Sequence, residues 1–243
     1  MDVQARVRTI TAVGLFPLLA AFTSACEPGA MLGSSGDAGV SEYTPNMSLP
    51  PPAHSQSMPC QDPDPTHLCV ALNYVVYEDP AGQPIIPQAQ AALNVQNVNS
   101  VWAQCQVQFY LENFTATNPA TAGLDFQPST TAELATVRAD YSNNSQIAVI
   151  TTGQWSGTLG SETANAWTEM PPVGPFGSVL EQSVAMVPNL IAHELGHSLN
   201  LVHVADQYDV MNPVVYSNSL NITESQCAMA RATAISFWGP MLR

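Results

Sequence analysis

His193-Glu194-Leu195-Gly196-His197-Ser198-Leu199-Asn200-Leu201-Val202-His203 is the stretch that says most about how this 243-residue chain folds. Leu190 to Leu199 has the character of a helix. Residues four apart on a helix lie one turn above each other on one face, so His193 and His197 can bind a single ion. Zinc accepts imidazole nitrogen, and a catalytic zinc site needs three protein ligands with a fourth position left for water. The third ligand must then come from beyond the helix. Asn200 stands where the helix should stop, and asparagine is, after glycine, the residue that best tolerates the left-handed conformation. A turn there would swing His203 back toward the same ion. Glu194 projects about 100° around the helix from His193, so it is no ligand, but it can hold a water molecule beside the ion. That arrangement suits a carboxylate general base, with zinc as the expected cofactor. Three of the chain's five histidines fall in this window. The joint spacing of all four residues, more than H-E-x-x-H alone, favours a metal site over ordinary polar histidines.

A second signal follows in Tyr208-Asp209-Val210-Met211-Asn212-Pro213. The extended histidine motif with a methionine turn downstream resembles the metzincin clan of zinc endopeptidases. The resemblance implies that His193, His197 and His203 hold zinc, that Glu194 is the catalytic base, and that Met211 lies under the metal as a hydrophobic floor. It also implies an α/β (α+β) fold: a twisted mixed sheet, two long helices and a small C-terminal subdomain below the active-site cleft. Asn200 departs from the glycine that most members carry, and gametolysin-type enzymes resemble this chain there. Some metzincins place a tyrosine two residues after the methionine. Here that place is Pro213, so neither Tyr208 nor Tyr216 inherits the role. Protein or peptide substrates and a monomeric enzyme are the expectation.

Outward from the motif, the chain alternates strands and helices, which indicates an α/β layered domain. Strands are expected at Leu68 to Tyr77, Val107 to Leu111 and Gln146 to Thr151, with a short edge strand at Ala164 to Met170. Gln88 to Gln104 sets Ala92, Val95, Val98, Val101 and Trp102 at helical spacing. Thr130 to Tyr141 and Thr223 to Phe237 read as further helices. From about residue 66 to the end the chain is long enough for one domain with a sizeable core. Residues 26–65 are rich in Pro, Ser, Gly and Met, with Pro50-Pro51-Pro52 and Asp62-Pro63-Asp64-Pro65, and read as a tether.

The N-terminus reads as a targeting segment over residues 1–25. Arg6 and Arg8 precede a short apolar run, Ile10 to Phe22, and Thr23-Ser24-Ala25-Cys26 gives small residues ending on a cysteine. It resembles a bacterial lipoprotein signal in which Cys26 is lipidated; ordinary secretion is the other reading. Either way the protein is expected to be exported, with a membrane contact only through that anchor. In an oxidising compartment the remaining Cys60, Cys69, Cys105 and Cys227 suggest two disulfides, for which three pairings exist. Cys60–Cys69 as a local loop and Cys105–Cys227 as a long clamp are favoured. The formal net charge is −14 and there is no lysine. Such a surface has little to exchange for the counterions of a phosphate backbone, so nucleic acid is a poor partner.

Three other readings share these residues. A related enzyme class takes its third ligand from a distant glutamate, and Glu224 is the only carboxylate far enough downstream. Asn221-Ile222-Thr223-Glu224, however, has the spacing of a helix-capping box, which accounts for Glu224 without metal. A surface lipoprotein that keeps zinc for binding rather than cleavage has no need of Glu194. Pro59-Cys60-Gln61-Asp62-Pro63 faintly resembles a metal-blocking zymogen segment, against which Cys69 offers Cys60 a nearby disulfide partner.

Overall fold

Leu68–Tyr77 forms β1, a ten-residue strand in which all but two residues are buried. Successive strand side chains point to opposite faces. Val70, Leu72, Tyr74 and Val76 therefore enter one core, and Val75 and Tyr77 another. A strand apolar on both faces belongs in the middle of a parallel sheet covered on both sides. The other strands are β2 (Val107–Thr117), β3 (Ile147–Thr152), β4 (Ala166–Glu169) and β5 (Gly177–Glu181). They pair in the order β2-β1-β3-β5-β4. The first four in that order run parallel, and β4 lies antiparallel to β5 at the edge. The result is the mixed sheet and α/β class expected from the sequence. The structure is a computed structural model that describes residues 66–161 and 164–243. The basic apolar N-terminus, Cys26, the Pro-rich stretch and Cys60 lie outside the described residues.

Helices α1 (Gln88–Trp102), α4 (Pro188–Ser198) and α5 (Glu224–Ser236) cover one face, and α2 (Thr131–Tyr141) with the short α3 (Gly157–Ser161) covers the other. Val95, Val98 and Trp102 of α1 meet Ile191 and Leu195 of α4 in the larger core. Burying each of the valine, isoleucine and leucine side chains among them is worth about 1.5–3 kcal/mol. Two hydrogen bonds fix α4 against α1. Trp102 Nε1 donates to Ala192 O at 3.2 Å, and Asn94 Nδ2 donates to Ala185 O, just ahead of α4, at 2.9 Å. Proline at the first position of α4 starts the helix two residues before the expected Leu190, since its missing N–H would find no partner there anyway. Among the described residues no helix is long and apolar enough to cross a membrane.

Several elements differ from those expected. Ala92 is exposed, and the buried stripe of α1 is completed instead by Ala91 and Asn94. The second strand runs on to Thr117. Beyond Leu111 it carries Glu112, Asn113 and Thr115 on the sheet edge, so the apolar alternation ends before the pairing does. Register shifts there, with Leu72 opposite Leu111 and Asn73 opposite Asn113, a one-residue bulge at Glu112. Strand β5 and helix α3 are not foreseen at all. The N-cap of α5 is Thr223, and its capping-box partner is Gln226 rather than Glu224. Cys105 and Cys227 form the long disulfide expected, tying the segment after α1 to α5. Cys69 is also disulfide-bonded, and its favoured partner Cys60 lies outside the described residues.

Candidate metal centre

Helix α4 points His193 and His197 the same way, one turn apart, and both are fully buried. The helix ends in a turn of defined hydrogen bonding. Leu201 N–H donates to Gly196 O and Asn200 N–H to His197 O, both at 2.9 Å, the paired bonds of a Schellman cap. Such a cap needs one residue with positive φ, and Asn200 supplies it at 66°. The chain then doubles back, bringing half-buried His203 to the other two histidines. The three Nε2 atoms converge: His193 to His197 and His197 to His203 are each 3.1 Å, and His193 to His203 is 3.3 Å. Three nitrogens around zinc at 2.0–2.1 Å in tetrahedral directions would lie roughly 3.3 Å apart. The spacing fits.

Backbone carbonyls decide which ring nitrogen faces inward. His193 Nδ1 lies 2.7 Å from Val210 O, and His197 Nδ1 lies 2.8 Å from Leu201 O. A carbonyl only accepts, so both Nδ1 atoms carry the hydrogen and both Nε2 atoms present lone pairs. Two lone pairs facing each other at 3.1 Å repel, and a cation between them turns that repulsion into coordination. Burial holds both rings in the neutral, ligating form. It lowers the His193 pKa to about 3, and His197 is pushed well below the ordinary imidazole range by burial and then by its two histidine neighbours.

The methionine turn works through its backbone. Asp209 is buried, and its Oδ1 accepts from Met211 N–H at 2.7 Å and from Gln226 Nε2 at 3.0 Å. The turn so held offers Val210 O to His193, while Met211 O accepts from Val204 N–H at 3.0 Å, next to His203. One short turn therefore orients two of the three histidines. Met211 itself is fully buried. A Cβ at Gly196 would overlap Met211 Sδ, so the methionine packs against the α4 backbone between His193 and His197, where only glycine leaves room.

Glu194 is fully buried, and its carboxylate accepts a hydrogen bond from the Thr168 hydroxyl of β4. Glu224 is exposed at the first turn of α5, and the histidine trio does not include it. Thr168, Gly196, Asp209 and Gln226 also shape the site, and the histidine motif does not mark them. Asp209 could have been found, because aspartate two residues before a turn amide is a common side-chain-to-backbone motif. Thr168 could not, since it meets Glu194 only across the fold.

The cap gives a direct test. Asn200→Val should cost about 1–3 kcal/mol in backbone strain at positive φ, displace His203 and weaken metal binding. Asn200→Gly should keep it. Competition with a chelator reads both, and equal affinities for the two variants would contradict the role assigned to the turn.

No family model matches this chain, and no curated protein does. Among solved structures, metalloproteinase-II from Bacteroides fragilis is similar over 68% of this chain and 53% of that one, at 13% identity and a TM-score of 0.46. The chain thus spans about half the length of that structure.

Proposed function

We propose that this chain is a zinc endopeptidase of the metzincin type, with His193, His197 and His203 as metal ligands and Glu194 as general base. The observation that carries the reading is the convergence of three Nε2 atoms within 3.3 Å, two from α4 and one from beyond its cap, with a carboxylate buried on the same helix between the first two. When bound, zinc would supply Lewis acidity at the water and at the scissile carbonyl. The protein's own part is acid–base chemistry and orientation. Glu194 takes the proton from water as the oxygen attacks the carbonyl carbon, then delivers it to the leaving amine. Val210 O and Leu201 O keep two imidazoles in the ligating tautomer, and the Asn200 cap and methionine turn keep the third in reach. No covalent link between enzyme and substrate is needed.

Strand β4 supports a peptide substrate rather than a small molecule. It ends the sheet order, so one of its edges has no strand beside it among the described residues. An extended peptide can pair with such an edge by main-chain hydrogen bonds, which are independent of side-chain identity. The basic, apolar N-terminus ending at Cys26 supports action outside the cytoplasm, as a lipoprotein or a secreted protein.

The experiment is digestion of a diverse peptide library by the purified chain, read by mass spectrometry, with and without chelator. Cleavage within peptides that chelator abolishes and added zinc restores is the expected result. Zinc binding without cleavage of any peptide would favour a binding lipoprotein instead.

A further inference from the structure

We infer that Thr168 is a positioning residue for Glu194, linking the catalytic carboxylate to the edge strand of the sheet. The inference rests on the reading of Glu194 as general base. The Thr168 hydroxyl donates to Glu194 Oε2, and the same hydroxyl is hydrogen-bonded to Ser178 Oγ at 2.7 Å. All three residues are fully buried. Thr168 and Ser178 are direct partners across the antiparallel β4–β5 pair, so the register of that pair sets where the hydroxyl stands.

A carboxylate on a helix has several rotamers, and a general base works only when its oxygen meets the reacting water. Ligand geometry cannot hold Glu194, because it coordinates nothing. Its oxygen must be fixed from outside the helix. Thr168 does this from β4, and Ser178 of β5 backs it, so the hydroxyl is tied to two strands of the sheet. The link also gives the short β4 a reason to stay in place. An edge strand of four residues has little pairing of its own, and Thr168 joins it to the core helix.

The test uses the full chain with Thr168→Val, Thr168→Ser and Glu194→Ala. Valine keeps the shape and removes the donor. Thr168→Val should bind zinc at the wild-type ratio and lower kcat roughly 10- to 100-fold, the scale of a misplaced catalytic group. KM should stay within about twofold, since the Thr168 side chain is fully buried and its hydroxyl is engaged by Glu194 and Ser178, and Thr168→Ser should recover most of kcat. A readout without activity accompanies it: denaturant unfolding of the metal-free chain in a cycle of Thr168→Val, Glu194→Ala and the double variant. The unfolding constants should depart from additivity by roughly tenfold, as expected for a buried hydrogen bond to a charged group. Wild-type kcat in Thr168→Val, a failure of Thr168→Ser to recover kcat, or additive unfolding constants would each overturn the inference. If the wild-type chain cleaves nothing, the peptidase reading fails, while the unfolding cycle still decides whether Thr168 holds Glu194.

Discussion

Glu194→Gln should lower the rate of peptide hydrolysis by roughly 10²–10⁴-fold, the usual contribution of a positioned general base, while leaving fold and metal content unchanged. Glutamine has nearly the same shape and keeps an oxygen to accept from Thr168, so the packing around residue 194 has no cause to change. What it lacks is the capacity to take a proton. Glu194 coordinates nothing in the proposed site, and the Nε2 triangle of His193, His197 and His203 should survive the exchange intact. The measurement pairs zinc stoichiometry with kcat/KM on one library-derived peptide. Loss of zinc together with activity would make Glu194 a structural support of the site. Full activity in the variant would remove the general-base role.

The second large effect is expected at the third ligand. His203→Ala should weaken zinc binding by more than the roughly 10- to 100-fold that follows loss of an outer-sphere partner, because it deletes a donor from the coordination sphere itself. Glu224→Ala should leave zinc affinity unchanged. That carboxylate sits exposed in the first turn of α5, where its interaction with the helix N-terminus is worth about 0.3–1 kcal/mol. Chelator competition on the two variants separates the two ligand sets. Retention in His203→Ala with loss in Glu224→Ala would assign the metal to a different donor set.

The histidine motif was legible because helical periodicity and one cap residue determine most of its geometry. His193 and His197 share a face by spacing alone, and Asn200 marks the left-handed turn by residue type. The central strands β1 and β3 were legible as dense apolar runs, since both of their faces are buried. Strand β5 was not. Gly177–Glu181 is five residues long and follows Met170-Pro171-Pro172-Val173-Gly174-Pro175, so it offers too short a pattern to be seen beside a loop signal. The cap of α5 shows a different limit. Asn221–Glu224 and Thr223–Gln226 both have the required spacing, and the choice depends on Asp209. Gln226 accepts from Thr223 N–H through Oε1 and donates to Asp209 Oδ1 through Nε2, two roles that only an amide can fill together. Thr168 belongs to the same class, because its partner is 26 residues away and on another element.

Metal coordination is the most direct test of the central claim. Zinc K-edge X-ray absorption on the purified, zinc-loaded chain should show three imidazole nitrogens at about 2.0–2.1 Å with one further light ligand, and the nitrogen signal should fall by one in His203→Ala. A wild-type chain that binds no stoichiometric zinc, or binds it through sulfur or with fewer than three imidazoles, would contradict the account.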